Sequence, residues 1–124
     1  MPVAFKNFPY YTIQYTLVNN QSTATPAPFQ QPIFVKPNPY MNTSLSNIFW
    51  SLDPAGNQPI YSWQETNVVT QYTGETGLPV QTILYWLNLP NGIPANSSLS
   101  VYLQIDMTGI THLGGYAGVA PNLT

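Results

Sequence analysis

The sequence predicts an all-β fold, an antiparallel β-sandwich built as a single jelly roll of about eight strands. No segment keeps a period of 3.6 residues over three turns, whereas stretches that alternate apolar and polar residues recur along the chain. Pro, Gly and Asn turn signals separate these stretches at intervals of roughly 10 to 15 residues, which is typical of sandwiches. The length of 124 residues fits a single domain, 1–124.

The strands follow from period-two alternation bounded by turn residues. They are predicted over 9–18, 32–36, 47–52, 59–63, 67–73, 78–89 and 98–107, with a last short strand at 116–119. The clearest alternation is in 98–107, where Leu99, Val101, Leu103 and Ile105 share one face. Gln104 and Asp106 are therefore expected on the outward face of that strand.

The three tryptophans are predicted to differ in role. Trp50 shares its strand parity with Ile48, and Trp63 shares its parity with Tyr61, so both are expected in the core. Trp86 falls on the face opposite Tyr85 and is expected at an intermolecular contact. The candidate interface residues are Tyr10, Tyr11, Trp86 and Tyr102.

The chain is unusually poor in charge. Only 5% of its residues are charged, as two Lys and four Asp or Glu, whereas ordinary soluble domains carry about a quarter. Two cationic side chains cannot neutralise a phosphate backbone, so no nucleic-acid partner is expected. No run is long and apolar enough for a membrane span, no signal peptide is visible at the N-terminus, and there is no cysteine. Few carboxylates also predict tolerance of acid.

The sequence offers no catalytic constellation, and we expect a protein that is not an enzyme and binds no metal or cofactor. His112 is the single histidine. Glu65 and Glu75 flank one predicted hairpin and are too far apart for glycoside hydrolysis. Asp53 is expected to cap its own turn, and Asp106 has no neighbouring carboxylate in sequence with which to hold calcium.

Four Asn-x-Ser/Thr sequons lie in predicted loops or at the C-terminus, and they make glycosylation possible. Their acceptor residues are Asn20, Asn42, Asn96 and Asn122. A chain rich in Asn, Ser and Thr also produces such triplets by chance.

The pattern "LPNGIPANSSLSVYLQI" followed by "GYAGVAP" resembles β-sandwich proteins of thermoacidophilic archaea and their viruses. The matching residues are Leu89–Pro90, Ile93–Ser98, Leu99–Ile105 and Gly118–Pro121. The resemblance implies a virion location and a structural subunit of an archaeal virus particle, a capsid, penton or spike protein similar to single jelly-roll capsid subunits. Such a subunit acts by self-assembly, so its expected partners are copies of itself, as a homo-oligomer, and other virion proteins.

Two alternatives stay open at this point. The first is an extracellular archaeal filament or surface-layer subunit, assembled by donor-strand exchange through residues 1–18. The second is a carbohydrate-binding module, which needs exposed aromatic residues on one flat face. Trp86, Tyr102 and Tyr72 are the candidates for that platform.

Overall fold

The computed structural model describes residues 3–41, 47–72 and 79–110, with the backbone alone for 65–72 and 79–82. The described residues form strands β1 (Val3–Asn7), β2 (Tyr10–Asn19), β3 (Phe29–Val35), β4 (Ile48–Ser51), β5 (Pro59–Ile60), β6 (Ser62–Tyr72), β7 (Pro79–Leu89) and β8 (Ser97–Asp106). The predicted strand at 116–119 lies outside the described residues. β1 is a strand that the sequence did not predict.

The strands form two antiparallel sheets, which confirms the all-β sandwich. The larger sheet has the order β1-β2-β8-β4-β5, and the smaller sheet has the order β3-β7-β6. The chain passes between the sheets after β2, β3, β5 and β7. Five of the described strands belong to one sheet and three to the other, and the jelly-roll connectivity stays a prediction.

The core lies between the inner faces of the two sheets. Its fully buried members include Val35, Trp50, Leu87, Leu89, Val101, Leu103 and Ile105. The Trp50 ring lies 5.6 Å from the ring of Tyr15 on β2 and 5.6 Å from that of Tyr85 on β7, so it joins the two sheets. The predicted core position of Trp50 is confirmed.

Trp63 does not lie in the core, contrary to the sequence prediction. Trp63 shares its parity with Tyr61 as predicted, but this is the outward parity, because Tyr61 is 54% exposed while its neighbours Ile60 and Ser62 are buried. Ser62 pairs with the core residue Leu87 and is itself buried. Trp63 pairs with Trp86 and consequently shares its outward face.

Gln104 and Asp106 are buried, although β8 directs them away from the core as predicted. The turn that follows β4 folds over this part of the sheet, and the Gln104 amide donates to the carbonyl of Pro54 at 3.1 Å. Asn47 covers the end of β8 and exchanges two hydrogen bonds with the Asp106 backbone. The outward face of the larger sheet is thus covered at this end.

Candidate functional site

The outer face of the smaller sheet carries a row of apolar side chains across all three strands. In the register of the sheet, Trp86 on β7 lies between Trp63 on β6 and Pro32 on β3. Two residues before Trp86 on β7, Leu84 pairs with Phe34 on β3. We call these five residues the outer aromatic face.

β7 is apolar on both of its faces. Ile83, Tyr85 and Leu87 point into the core and are buried, so pleating places Leu84 and Trp86 on the opposite side. An antiparallel sheet with one solvated face normally alternates apolar and polar residues, and continuous apolar strands are typical of sheets covered on both sides. The outer face of the smaller sheet is therefore apolar, as expected for a covered face. No described residue covers it completely.

The exposure of this face is substantial. Phe34 is 47% exposed, Pro32 is exposed, and Trp63, Leu84 and Trp86 are half-buried. None of these five side chains carries a formal charge. A contiguous apolar patch of this kind marks an interaction site more often than isolated exposed apolar residues do.

A groove continues the outer aromatic face towards the end of β7. It has a volume of about 390 Å³ and is lined by Pro28, Pro59, Ile60, Tyr61, Asn88 and Pro90. Tyr61 is 54% exposed, and Asn88 Oδ1 is buried without a hydrogen-bond partner among the described residues. The groove extends the apolar surface beyond the sheet itself.

The outer face of the larger sheet has a different character. Near β4 it is covered by the turn after that strand, where the Tyr10 ring packs edge-on against Phe49 at 5.3 Å beside Gly56. Towards the other end of β2 and β8 it is open and mostly polar, and Gln14 Nε2 donates to Ser100 Oγ at 3.0 Å. The two outer faces of the sandwich are therefore chemically distinct.

The four candidate interface residues do not form one surface. Trp86 lies in the outer aromatic face, whereas Tyr102 is on β8, on the outward side of the larger sheet. Tyr10 packs on Phe49, and Tyr11 stacks on Tyr40 with ring centroids 4.7 Å apart. Trp86 and Tyr102 therefore cannot belong to a single flat sugar platform; the side chain of Tyr72 lies outside the described residues.

Sequence reasoning missed four members of the outer aromatic face, Phe34, Leu84, Trp63 and Pro32. A signal for two of them was present, because "IFV" and "ILYWL" are apolar at both strand parities. Trp63 shares its parity with the exposed Tyr61, and periodicity alone does not reveal that this parity faces outward.

Ionisable groups do not converge on a reactive centre in the part of the chain that the structure describes. No group of three or more His, Cys, Asp or Glu side chains there could hold a metal ion. Asp53 accepts hydrogen bonds from the backbone N–H groups of Asn57 and Gln58 at 3.0 and 2.7 Å, as predicted for a turn cap. Asp106 accepts from the backbone and hydroxyl of Thr108. His112, Glu75 and the side chain of Glu65 lie outside the described residues.

Two core tyrosines are held in their neutral form. Burial raises the pKa of Tyr15 to about 12. Burial, and secondly the neighbouring Tyr15, raises the pKa of Tyr85 above the ordinary tyrosine value. The Tyr85 hydroxyl and Trp50 Nε1 are buried without hydrogen-bond partners among the described residues. These groups lie in the core and offer no access to a substrate.

Two of the four sequon asparagines, Asn20 and Asn96, are exposed at the open end of the larger sheet. Asn42 and Asn122 lie outside the described residues. Within the described ranges, no helix has the length and hydropathy of a membrane span.

Comparisons with known proteins give one informative similarity. No protein-family model matches the chain, and no solved structure matches it. A protein of Sulfolobus islandicus rod-shaped virus 1, described as "Uncharacterized protein 562", is 31% identical over 124 residues, or 98% of this chain. The chain spans 20% of the length of that relative. The similarity supports the archaeal-virus origin that the sequence predicted.

Proposed function

We propose that this chain is a structural component of an archaeal virus particle and assembles with further copies of itself through the outer aromatic face. The observation that carries the proposal is the row Pro32, Trp86 and Trp63, which crosses all three strands on the side away from the core. Such a component is located in the virion and works by binding, without turnover of a substrate.

The energetic argument rests on the removal of apolar surface from water. Burying apolar surface contributes about 25 cal/mol per Å², and partly exposed aromatic side chains supply most of that area here. A second sheet can stack on the outer face of the smaller sheet at about 10 Å, as sheets do inside a sandwich. Association would bury the outward apolar side chains of β7, Leu84 and Trp86.

A second copy of the chain is the partner that best fits this surface. An isologous contact brings the same patch of two subunits together, so a charged patch would oppose itself. The five side chains of the outer aromatic face are uncharged, so two copies of this face can meet without repulsion between like charges. The viral relative adds support, because repeated contacts between identical subunits are the means by which small proteins build particles.

Sedimentation velocity over a concentration series tests this proposal. Phe34→Thr and Leu84→Thr keep a residue suited to a strand while removing apolar area from the outer aromatic face. The matched control is Val18→Thr, because Val18 is 61% exposed in a strand of the other sheet. We expect the unmodified chain and the control to associate, and each test variant to associate at least about tenfold more weakly, which corresponds to ~1.4 kcal/mol.

Two outcomes would contradict the proposal. One is a chain that stays monomeric at every concentration up to the millimolar range. The other is a control variant that weakens association as much as Phe34→Thr does. Electron microscopy of the associated sample then gives the symmetry of the assembly.

Donor-strand exchange is a second candidate, and the exposure of β1 favours it. Val3–Asn7 forms one edge of the larger sheet and has only one residue, Phe5, that is even partly buried. β2, however, pairs with β8 of its own chain along its full length, from Tyr10 to Asn19. Exchange of residues 1–18 would have to replace that pairing, so we place self-association through the outer aromatic face first.

A proline in β1 distinguishes the two candidates. Proline removes a backbone donor and blocks pairing at a strand edge. Ala4→Pro should abolish assembly by strand exchange and should leave association through the outer aromatic face unchanged.

A further inference from the structure

Two sequons that are far apart in sequence meet at the open end of the larger sheet. Asn19 at the end of β2 pairs with Ser97 at the start of β8. Just beyond this pair, the backbone N–H of Asn96 donates to the carbonyl of Gln21 at 2.9 Å. Asn20 and Asn96 therefore lie on neighbouring segments of the same surface.

Both sequons present the groups that N-glycosylation uses. Asn20 and Asn96 are exposed, and so are the hydroxyl residues Ser22 and Ser98 two positions later. Asn96 has φ of 49°, and this left-handed conformation places it in the turn that enters β8. Neither asparagine is needed to fill the core.

The adjacent Asn19 differs from Asn20, because its side chain has a structural role and is not accessible for glycosylation. Asn19 is buried, and its Nδ2 donates to the carbonyls of Thr23, Ile93 and Pro94 at 3.1 to 3.2 Å. Its Oδ1 accepts from the Gln21 backbone at 2.9 Å. Asn19 thus fixes the two segments that carry the sequons, while Asn20 itself faces solvent.

The surface between the two asparagines is an open depression. It is lined by Thr16, Val18, Asn20, Asn96, Ser97 and Ser98. Val18 supplies an exposed apolar side chain there, and the other five residues are polar and uncharged. Such a surface suits contact with the first sugar of a glycan, which presents both hydroxyl groups and apolar ring faces.

We propose that Asn20 and Asn96 form one N-glycosylation patch that accepts an oligosaccharide from a polyprenyl-phosphate carrier, through an oligosaccharyltransferase of the host. The side-chain amide nitrogen forms a bond to C1 of the reducing-end sugar. The bond between C1 and the phosphate oxygen breaks, and the carrier phosphate leaves with the electron pair. The amide proton passes to solvent, and no group is oxidised or reduced.

The patch lies on the larger sheet, whereas the outer aromatic face lies on the outward side of the smaller one. A glycan at Asn20 or Asn96 consequently leaves the outer aromatic face uncovered. The glycosylation proposal does not depend on the proposed function, because it is tested by the mass of the chain and not by its association.

Mass spectrometry of the chain, exported by means of an added signal peptide from an archaeal host that performs N-glycosylation, tests the inference. We expect chymotryptic peptides containing Asn20 or Asn96 to carry a glycan. Combining Ser22→Ala with Ser98→Ala should remove it, because both sequons lose their hydroxyl while the asparagines remain. The conservative pair Ser22→Thr and Ser98→Thr should retain it. All variants should have the Tm of the unmodified chain, since no backbone group depends on either hydroxyl for the contacts described above.

A known sequon protein exported from the same host supplies the positive control. The inference is overturned if that control is glycosylated and the peptides containing Asn20 and Asn96 are both unmodified. It is also overturned if glycan is found at Asn42 or Asn122 alone, because the patch would then have no part in the modification.

Discussion

The Thr12 hydroxyl donates to Gln104 Oε1 at 2.6 Å, and both side chains are fully buried on the outward side of the larger sheet. The Gln104 amide in turn donates to Ser51 Oγ and to the Pro54 carbonyl, at 3.1 Å in each case. This polar cluster ties β2, β8 and the turn after β4 together. Every polar atom of the Gln104 side chain is thus satisfied by the turn and strands around it.

Replacement of Gln104 by methionine should destabilise the fold strongly. Methionine keeps nearly the same volume but removes the acceptor of the buried Thr12 hydroxyl and the amide that donates to Ser51 Oγ and the Pro54 carbonyl, which costs about 2–4 kcal/mol in total. The measurement is the free energy of unfolding in urea. Gln14→Met is the matched control, since Gln14 makes one side-chain bond at a half-buried site on the same sheet face. Equal losses for the two variants would contradict the role of the buried cluster.

Adjacent asparagines should respond very differently to the same change. Asn19→Ala removes a side chain that makes four hydrogen bonds at a buried site, and we expect a loss of roughly 2–4 kcal/mol. Asn20→Ala alters an exposed position and should change the free energy of unfolding by less than about 0.5 kcal/mol. Thermal unfolding of the two variants compares them directly. A stable Asn19→Ala variant would show that the two segments do not need this anchor.

A side chain at Gly92 should not be tolerated. Gly92 has φ of 64°, and a Cβ there would lie 2.5 Å from Thr25 Oγ1 and 2.6 Å from the Pro26 carbonyl oxygen. We expect Gly92→Ala to cost about 2–3 kcal/mol, from backbone strain together with this collision. Gly109→Ala is the control for strain alone, since Gly109 has φ of 82° and is exposed. A Gly92→Ala variant as stable as the control would contradict the close approach.

Stability should fall in alkali above pH 10. Tyr15 and Tyr85 have pKa values raised by burial, so between pH 10 and the folded-state values the unfolded chain binds fewer protons than the folded one. Their contribution is therefore intact below pH 10 and is lost as the pH rises, by up to about 1.4 kcal/mol per pH unit for each tyrosine. Urea unfolding at a series of pH values measures the slope.

Tyr85→Phe separates this effect from general alkaline damage. The variant removes one of the two titrating groups and a buried hydroxyl without a described partner. We expect a shallower decline above pH 10 and no loss of stability at pH 7. An unchanged alkaline slope would show that folding does not raise the pKa of Tyr85.

The alternation of apolar and polar residues correctly predicted the strands that pair with another strand on both sides. The inward row of β8, Leu99, Val101, Leu103 and Ile105, packs in or against the core as its parity required. Period-two patterning reports which side of a strand faces a core, and it reports nothing about what covers the other side. Gln104 was therefore expected to be exposed, because the turn that buries it comes from a distant part of the chain.

The inward side of short strands and the edges of sheets were harder to predict. Tyr61 and Trp63 share one parity as expected, but the buried residues Ile60 and Ser62 have the other parity, so Trp63 lies outside the core. β1 was missed because Val3–Asn7 lies at an edge, is exposed on both faces and has no apolar row. The outer aromatic face required the register of three strands, which is a non-local property, although the apolar run in β7 pointed to a strand covered on both sides.

The central claim is that another copy covers the outer aromatic face inside a virus particle, and hydroxyl-radical footprinting of purified particles tests it most directly. Oxidation of Trp63 and Trp86 is measured in particles of the virus that encodes the chain and in the dilute, free chain. We predict that both tryptophans are several-fold less oxidised in particles, while Tyr102 on the opposite face changes less. Absence of the chain from purified particles, or equal oxidation of the two tryptophans in both samples, would contradict the account.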